Sequence, residues 1–256
     1  MNSSISVVTG AAGGIGAAVA RALGERGSVV AAVDSDASRL SRTTAKLNAD
    51  GLRAVGYAVD VARRADVESM VEAVERDLGP VDHLVNCAGV LRLGGVRDLT
   101  QDDWAASFAV NTTGVFNTSQ ALVERMVPRA GGAIVTVVSN AAATPRTDMA
   151  AYAASKAAAA AFTRCLGLEV AAHGIRCNLV APGSTDTRML RSMWADERGP
   201  RRTLDGDLGS YRLGIPLRRL ARAEDIAAAV LFLLSEQAVH ITMHTLTVDG
   251  GATLGV

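Results

Sequence analysis

The sequence has no excess charge of either sign. Its 26 basic side chains (Lys and Arg) and 26 acidic side chains (Asp and Glu) give a formal net charge of zero. No basic block, acidic tail or nucleic-acid-binding motif interrupts this balance. Proteins that bind a phosphate backbone carry a basic patch or stripe, so we expect no nucleic-acid partner.

Long apolar runs are also missing, although 49% of the residues are hydrophobic. A membrane-spanning helix needs about 20 consecutive apolar residues, and no run approaches that length. The opening letters, MNSSISVVTG, lack the basic start and the apolar core of a signal peptide. We therefore expect no membrane segment and no export.

Cysteine is scarce and has no pattern. Cys87, Cys165 and Cys177 are scattered without the spacing of metal ligands. An odd number of cysteines in a chain without an export signal is typical of reduced thiols in the cytoplasm. We expect a cytoplasmic protein, no disulfide framework and no metal site.

What the sequence does have is a regular alternation of strands and helices over its 256 residues, with no linker and no repeat. The pattern predicts an α/β fold: a Rossmann-type, doubly wound sandwich whose seven-stranded parallel sheet carries helices on both faces. We expect one dinucleotide-binding domain over residues 1–256. A polar, irregular insert at about 188–215 would form a lid.

A glycine-rich turn follows the first predicted strand, in the letters TGAAGGIG, and helical spacing begins at Ile15. Gly10 permits the tight turn, Gly14 lets the backbone approach a pyrophosphate, and Gly16 lets helix and strand pack closely. The phosphates would lie at the helix N-terminus, where free N–H groups and the helix dipole favour an anion. The alternative is a purely structural glycine turn.

Acidic residues end the next two predicted strands. Asp34 would accept hydrogen bonds from the adenosine ribose hydroxyls and repel a 2′-phosphate. No arginine adjoins it in sequence, so NAD is favoured over NADP. Asp60, followed by Val61, would accept from the adenine amino group; helix capping is the alternative for both carboxylates. The fourth strand ends in small residues that would let the adenosine lie against the backbone: Asn86, Ala88 and Gly89.

One long helix is predicted from about residue 100 to about residue 128, and Asn111 lies inside it. Asn is a poor residue for a helix interior, because its side chain competes for backbone hydrogen bonds. An Asn in this apolar stretch is therefore expected to have a specific partner.

A hydroxyl, a phenol and an ammonium group are expected to converge at the carboxyl edge of the sheet. Ser139 follows the fifth strand, and Tyr152 and Lys156 stand at positions i and i+4 of a helix, on one face. Tyrosine ordinarily has a pKa of about 10. Lys156 and the positive nicotinamide ring would lower the pKa of Tyr152 and suit it to act as a general base. The alternative is an ordinary surface pair of Tyr and Lys.

Taken together, these motifs resemble the short-chain dehydrogenase/reductase family. The letters TGxxxGIG, NxAG, YxxxK and PGxxxT, with Asn111 and Ser139 between them, occur in the family's order along the whole chain. One departure is Cys87, where the family commonly has a second Asn; we do not expect it to disable the site.

The resemblance implies hydride transfer between an alcohol and a nicotinamide cofactor. Ser139 would hold the reacting oxygen, Lys156 would reach the nicotinamide ribose, and Asn111 would hold a water that links Lys156 to solvent. A homotetramer, assembled through the two long helices and the last strand, is also implied. Further cofactor contacts are implied for the PGSTDT segment: Pro182, Gly183, Thr185 and Thr187.

Within the family, the segments AGVLRLG, TPRTDMAAYAASKAA and GIPL and the C-terminal letters resemble one branch. That branch oxidises a dihydroxycyclohexadiene carboxylate with NAD to a catechol acid of siderophore biosynthesis. Oxidation of one ring hydroxyl gives a ketone that tautomerises to the catechol, and gaining the aromatic ring makes the reaction effectively one-way.

A carboxylate on the substrate needs a cationic partner, and two arginines are candidates. Arg146 lies on the loop between Ser139 and Tyr152, and Arg92 lies on the loop after the fourth strand. A guanidinium binds a carboxylate through two parallel hydrogen bonds; a solvated surface arginine is the alternative for each. Three further side chains would close an apolar lid over the ring, or else serve core or subunit packing: Met189, Met193 and Trp194.

Three other functions stay open. An NAD-dependent dehydrogenase of the amino analogue, a dihydro-3-hydroxyanthranilate, would share the carboxylate clamp. A ketoacyl or sugar-alcohol reductase of the same family is disfavoured by Asp34, because many such reductases use NADPH. A dinucleotide-binding regulator without turnover is disfavoured because the candidate catalytic set is intact.

Overall fold

The computed structural model describes residues 4–255, in which strands and helices alternate. The strands are β1 (Ile5–Thr9), β2 (Val29–Asp34), β3 (Ala54–Ala58), β4 (His83–Asn86), β5 (Gly132–Val137), β6 (Ile175–Pro182) and β7 (Thr245–Val248). The helices are α1 (Gly14–Glu25), α2 (Ala37–Ala49), α3 (Arg64–Asp77), α4 (Gln101–Phe108), α5 (Gly114–Met126), α6 (Ala150–Val170), α7 (Arg188–Arg191), α8 (Gly199–Asp205) and α9 (Ala223–Leu234).

The sheet has the strand order β3-β2-β1-β4-β5-β6-β7, and every neighbouring pair is parallel. This arrangement confirms the predicted seven-stranded, doubly wound sheet. The strand order reverses beside β1, which lies between β2 and β4. Loops that leave such a switch point in opposite directions open a crevice at the carboxyl edge, where ligands bind in these folds.

Helices cover both faces of the sheet, as the sequence predicts. Neighbouring residues of β1 show this: Val8 belongs to an apolar cluster with α1, α2 and α9, whereas Val7 belongs to a cluster with α3, α5 and α6. Both valines are fully buried. Because side chains alternate between the two covered faces, the strands read as continuous apolar runs rather than as alternating ones.

Two predicted elements need correction. The single helix expected from about 100 to 128 is wrong as a continuous α-helix, because a π-helical turn at Ala109–Thr113 separates α4 from α5. The insert at 188–215 is not wholly irregular, since it contains α7 and α8. Thr187 caps α7, its Oγ1 accepting from Leu190 N at 3.3 Å.

The strands of the described region form one sheet. Residues 1–3 and 256 of the expected domain lie outside the described residues. Over residues 4–255, no helix combines the length and the hydrophobicity that crossing a membrane requires.

Candidate active site

A cavity of about 640 Å³ lies at the carboxyl edge of the sheet. Its walls come from the loops after β1 to β6 and from the 188–215 insert. The predicted site residues that line it are Gly10, Gly14, Ile15, Gly16, Asp34, Asp60, Val61, Ala88, Gly89, Ser139, Arg146, Tyr152, Lys156, Pro182, Gly183, Thr185, Thr187, Met189, Met193 and Trp194.

The glycine turn packs closely against its neighbours because its glycines lie where side chains would collide with the backbone. Gly10 has φ +68°, and a Cβ at this position would lie 2.8 Å from Ala88 N. A Cβ at Gly16 would overlap the carbonyl oxygen of Gly10. The hydroxyl of Thr9 accepts from the N–H groups of Cys87 and Ala88, both at 3.1 Å, and so ties the two loops together. A pyrophosphate can therefore approach the backbone at the start of α1.

Asp34 faces the cavity at the end of β2. Its Oδ2 accepts from Ala12 N and its Oδ1 from Asp36 N, both at 3.0 Å. The cap of α2 is instead Asp36, which accepts from Arg39 N at 2.9 Å. The capping alternative for Asp34 is thus wrong. Its carboxylate is oriented by backbone donors beside the glycine turn.

Arg39 is a cavity residue that the sequence analysis missed. Its Nη2 lies over the glycine turn, 2.7 Å from where a Cβ of Gly13 would be. Arg39 is five residues after Asp34 in the sequence and is therefore not among the residues that directly follow it. Arg39 lies in the first turn of α2. Because α2 begins at the carboxyl edge of the sheet and helical side chains point toward the N-terminus, this side chain points back to that edge.

Asp60 and Val61 lie where the sequence placed them, at the cavity wall after β3. Asp60 Oδ1 accepts from Ala62 N at 3.0 Å, and the side chain is exposed. The N-cap of α3 is Arg63, without a side-chain cap, so the capping alternative for Asp60 is also wrong. Val61 is buried against Gly114, where a Cβ would lie 2.5 Å from its Cγ2.

Asn86 does not line the cavity, contrary to the cofactor-binding role expected for it. Its side chain points toward α5. Asn86 Nδ2 donates to Ser119 Oγ at 3.1 Å, and its Oδ1 accepts from Thr118 Oγ1 at 2.7 Å. The amide is buried and pins β4 to this helix, so the prediction is corrected to a structural role.

Ser139, Tyr152 and Lys156 converge at the cavity. Burial raises the pKa of Tyr152, and a hydrogen bond with Ser139 offsets part of that rise. Lys156 Nζ donates to the carbonyl of Val137 at 3.0 Å, and burial lowers the pKa of this lysine to about 8. Lys156 does not lower the pKa of Tyr152 in the chain alone, contrary to expectation. The pKa of Tyr152 is raised, because burial outweighs the hydrogen bond with Ser139.

Cys87 lines the same cavity. Burial raises the pKa of its thiol to about 12. A thiol with so high a pKa is protonated and unreactive at neutral pH. Cys87 thus behaves as a small apolar wall, as the sequence analysis expected for this departure from the family pattern.

Asn111 is fully buried in the π-helical turn and has the specific partners that its sequence context predicts. Its Nδ2 donates to Val90 O and to Ser155 Oγ, both at 2.9 Å, and its Oδ1 accepts from Val90 N at 2.8 Å. Both amide hydrogens are therefore used by the protein. The side chain fixes the loop after β4 against α6, and it does not offer an N–H to the water expected beside Lys156.

Only one of the two arginines proposed to bind the substrate carboxylate lines the cavity. Arg146 lines the cavity. Arg92 does not: its side chain is 53% exposed, and its Nε lies 3.8 Å from Asp103 Oδ1. The expectation of a cavity position for Arg92 is corrected, because its guanidinium turns outward to this carboxylate.

A second cavity arginine, Arg212, was missed because the insert that carries it has no recognisable pattern. It enters the cavity from a turn between α8 and α9. Neither hydrophobic periodicity nor a motif points to that position, and only the folded chain brings it near Arg146.

The sheet, the glycine turn and the converging Ser, Tyr and Lys define a class of nicotinamide-dependent oxidoreductases. The chain belongs to the short chain dehydrogenase family, whose model matches residues 4–198.

Within the family, the chain is similar over almost its whole length to dehydrogenases of one substrate. The chain is 54% identical to a 2,3-dihydro-2,3-dihydroxybenzoate dehydrogenase of Bacillus subtilis (strain 168). The alignment spans 252 residues and covers 98% of this chain and 97% of the relative. It is 42% identical to the enzyme of the same name from Escherichia coli (strain K12), over 97% of this chain and 96% of that one.

Solved structures agree with the fold. A 7α-hydroxysteroid dehydrogenase in complex with NADH and 7-oxo glycochenodeoxycholic acid superposes with a TM-score of 0.89 at 30% identity, covering 97% of this chain and 94% of that one.

Proposed function

We propose that this protein oxidises 2,3-dihydro-2,3-dihydroxybenzoate to 2,3-dihydroxybenzoate, with NAD as hydride acceptor. The observation that carries the proposal is the 54% identity, over almost the whole of both chains, to a dehydrogenase of that name. The cavity supports it, since a candidate proton-transfer group and a cationic side chain line the same space.

Tyr152 is the proposed general base. NAD, when bound, supplies the hydride acceptor and a positive charge that favours the phenolate. The hydroxyl proton of the substrate passes to the Tyr152 phenolate oxygen while the carbinol C–H leaves as hydride, and the C–O bond becomes C=O. Ser139 donates a hydrogen bond to the reacting oxygen and stabilises its developing charge. The resulting ketone then tautomerises to the catechol.

Lys156 and Asn111 support this step. The buried ammonium of Lys156 is anchored on the carbonyl of Val137; it is proposed to favour the phenolate and to reach the nicotinamide ribose. Asn111 is proposed to be a positioning residue, because its amide holds the loop of Gly89 and Val90 in place at the cavity. A side chain on Gly89 would crowd both groups, at 3.3 Å from Asn111 Oδ1 and from Lys156 Nζ.

NAD is proposed rather than NADP because of Asp34. Its carboxylate is held at the cavity by two backbone N–H groups, where it would accept from ribose hydroxyls and repel a 2′-phosphate. Asp60, Val61 and the segment Pro182–Thr187 are proposed to complete the cofactor contacts.

The substrate is proposed to lie between the catalytic group and the insert at 188–215. Arg146 would bind its carboxylate, and Met189, Met193 and Trp194 would cover its ring. Trp194 is held in place by a hydrogen bond from its Nε1 to Thr203 Oγ1 at 3.2 Å and by contact with Gly199, where no side chain would fit.

The whole chain is proposed to act as one domain and to assemble as a homotetramer in the cytoplasm. Small residues on α6, from Ala157 to Ala161, and exposed Leu168 would suit helix–helix contact between subunits.

The test is a direct assay. The purified enzyme is given 2,3-dihydro-2,3-dihydroxybenzoate with NAD or with NADP, and the reduced cofactor is followed by absorbance. We expect turnover with NAD and a much lower kcat/KM with NADP. Absence of turnover with NAD would reject this substrate and leave the family assignment alone. The amino analogue, assayed in parallel, checks the alternative acid.

A further inference from the structure

The cavity holds two guanidinium groups near each other, Arg146 from the loop before α6 and Arg212 from the insert. Burial, and to a smaller extent the charge of Arg212, lowers the pKa of Arg146, and the carboxylate of Asp249 opposes this effect. Among the ion pairs of residues 4–255, none involves either guanidinium. Two like charges held together in a partly buried site need a compensating anion.

Arg212 is also short of hydrogen-bond partners. Its Nε is buried and has no partner within the described residues, and its Nη2 reaches only the sulfur of Met149, at 3.8 Å. Arg146 Nη1 donates only to the carbonyl of its own neighbour Pro145, at 3.1 Å. A buried N–H without an acceptor is unfavourable, so the fork of Arg212 is suited to an acceptor that arrives with a ligand.

Two acidic side chains that act electrostatically on the arginines accept hydrogen bonds from other groups. Asp249 accepts from Asn140, Gly251 and Thr253. Asp207 accepts from the N–H of Gly209 and from the hydroxyl of Ser210. Both carboxylates keep their charge and act on the arginines from a distance, Asp249 on Arg146 and Asp207 on Arg212, but neither forms an ion pair with them.

A rigid turn holds Arg212 inward; we call residues 206–214 the Arg212 turn. Asp207 and Arg212 exchange two backbone hydrogen bonds, at 2.8 and 2.9 Å. Gly206 and Gly214 close the turn at φ +87° and +82°, where any Cβ would strike backbone. Tyr211, 87% exposed, points outward while the Arg212 side chain lines the cavity. The turn thus commits its arginine to the site.

We infer that Arg146 and Arg212 form a two-arginine clamp for the carboxylate of the substrate, with Arg212 carried by the insert. The inference rests on the proposed function, because it takes the substrate to be a ring diol that bears one carboxylate. The Arg212 fork binds the carboxylate side-on. Arg212 is thereby a specificity residue, which selects acids over neutral diols when the insert covers the ring.

The test compares acid and neutral substrates. Arg212→Gln removes the charge and keeps a polar side chain. We expect kcat/KM for 2,3-dihydro-2,3-dihydroxybenzoate to fall about 10- to 100-fold, the loss expected for a charged hydrogen bond. The same diol without its carboxylate should react at a rate unchanged within about twofold. Arg146→Gln should act likewise, and the double variant should lose less than the product of the two single losses.

Two controls make the result specific. Arg201→Gln, on α8 of the same insert, removes a guanidinium that is 88% exposed and paired with Asp205. This substitution should leave kcat/KM unchanged for both the acid and the neutral diol. Arg212→Lys keeps the charge but loses the fork, and it should recover only part of the acid preference. Equal losses for acid and neutral diol, or no loss with either, would overturn the clamp.

A binding measurement separates the clamp from the proposed function. Titration calorimetry of the wild-type complex with NADH compares 2,3-dihydroxybenzoate with catechol, and benzoate with benzamide. The clamp predicts tighter binding of each acid, and loss of that difference in Arg212→Gln. This holds even if the wild-type enzyme fails to oxidise the proposed substrate. If a variant does not fold, the wild-type comparison decides, since equal binding of acids and neutral compounds would overturn the clamp.

Discussion

Burial sets the protonation of the candidate catalytic residues. Tyr152 and Lys156 are both nearly inaccessible to solvent, at 8% and 4% exposure. Burial raises the pKa of Tyr152 and lowers the pKa of Lys156, so it favours the neutral form of each side chain. The site therefore starts as a phenol beside an ammonium that is easily deprotonated. A charge supplied on ligand binding is what tips such a pair toward phenolate.

Replacing Tyr152 by Phe tests the general base. The substitution removes one oxygen and keeps the ring, so we expect kcat to fall by about 10²- to 10⁴-fold, the range for a lost acid–base group. Binding of NADH, followed by fluorescence, should be unchanged. Tyr57→Phe is the matched control, because the hydroxyl of Tyr57 is buried on β3 and has no hydrogen-bond partner among residues 4–255. Retained activity in Tyr152→Phe would reject the mechanism.

Lys156 predicts how stability depends on pH. Its pKa falls from 10.5 to about 8 on folding, so between these values the unfolded chain binds more protons than the folded chain. The free energy of unfolding contributed by this group therefore increases as pH rises through that window. A pKa difference of this size corresponds to about 3 kcal/mol. Urea unfolding of the cofactor-free enzyme from pH 7 to 10 should show this rise relative to Lys156→Met; parallel curves for the two proteins would contradict it.

Asp34 predicts the cofactor preference. Asp34→Ser removes the carboxylate that would repel a 2′-phosphate and leaves Arg39 close by. We expect the ratio of kcat/KM for NAD to that for NADP to fall about 10- to 100-fold, since one charged contact is lost and one repulsion is relieved. Asp50→Ala removes a carboxylate that is paired with Arg21 at the opposite end of α2, outside the cavity, and it should leave the ratio unchanged. An unaltered ratio in Asp34→Ser would assign the preference elsewhere.

Single residues were predictable from the sequence where a strand end or helical spacing fixed their position. Asp34 and Ser139 follow buried strands, and Tyr152 and Lys156 share a helix face, so topology alone brings them to one edge. Asn86 and Arg92 show the limit. Each lies next to cavity residues in the chain, but the direction of its side chain depends on tertiary partners on α5 and α4.

At the scale of elements, the π-helical turn is the feature that hydrophobic periodicity could not reveal. One extra residue shifts the apolar pattern by a single position, and α4, with eight residues, is too short for that shift to be recognised. The signal was chemical: an Asn in an apolar helix interior required a partner, and the turn is where Asn111 meets Val90 and Ser155. Such turns commonly occur at functional sites.

Asn111→Ala tests whether this turn is held by its side chain. The substitution removes three hydrogen bonds and leaves both backbone groups of Val90 without that partner. We expect the free energy of unfolding to drop by about 2–4 kcal/mol and kcat to fall as the loop loosens. Asn117→Ala, which loses one bond to Val61 O, should cost about 1 kcal/mol. Chemical denaturation measures both, and equal losses would argue against the special role of the turn.

At the scale of the whole molecule, the sheet order and the two covered faces were predictable, because strand and helix periods alternate along the entire chain. The insert at 188–215 was not. Its helices are four and seven residues long, too short for a period to emerge. Arg212 enters the cavity on a glycine-closed turn that no local pattern marks. The proposed substrate selection by Arg212 therefore depends on the part of the chain that is hardest to predict from sequence, whereas the proposed cofactor site lies in the part that is easiest to predict.

The proposed homotetramer gives a prediction at this scale. Ala161 is exposed on α6, on the stretch of small residues proposed to meet a second subunit. Ala161→Arg would place a long charged side chain where close helix packing leaves no room, so we expect the tetramer to dissociate to smaller species in sedimentation experiments. Ala49→Arg, at the exposed end of α2, should leave the assembly intact. Because the candidate active site lies within one chain, the dissociated species should keep its affinity for NADH; an unchanged tetramer in Ala161→Arg would move the interface off this helix.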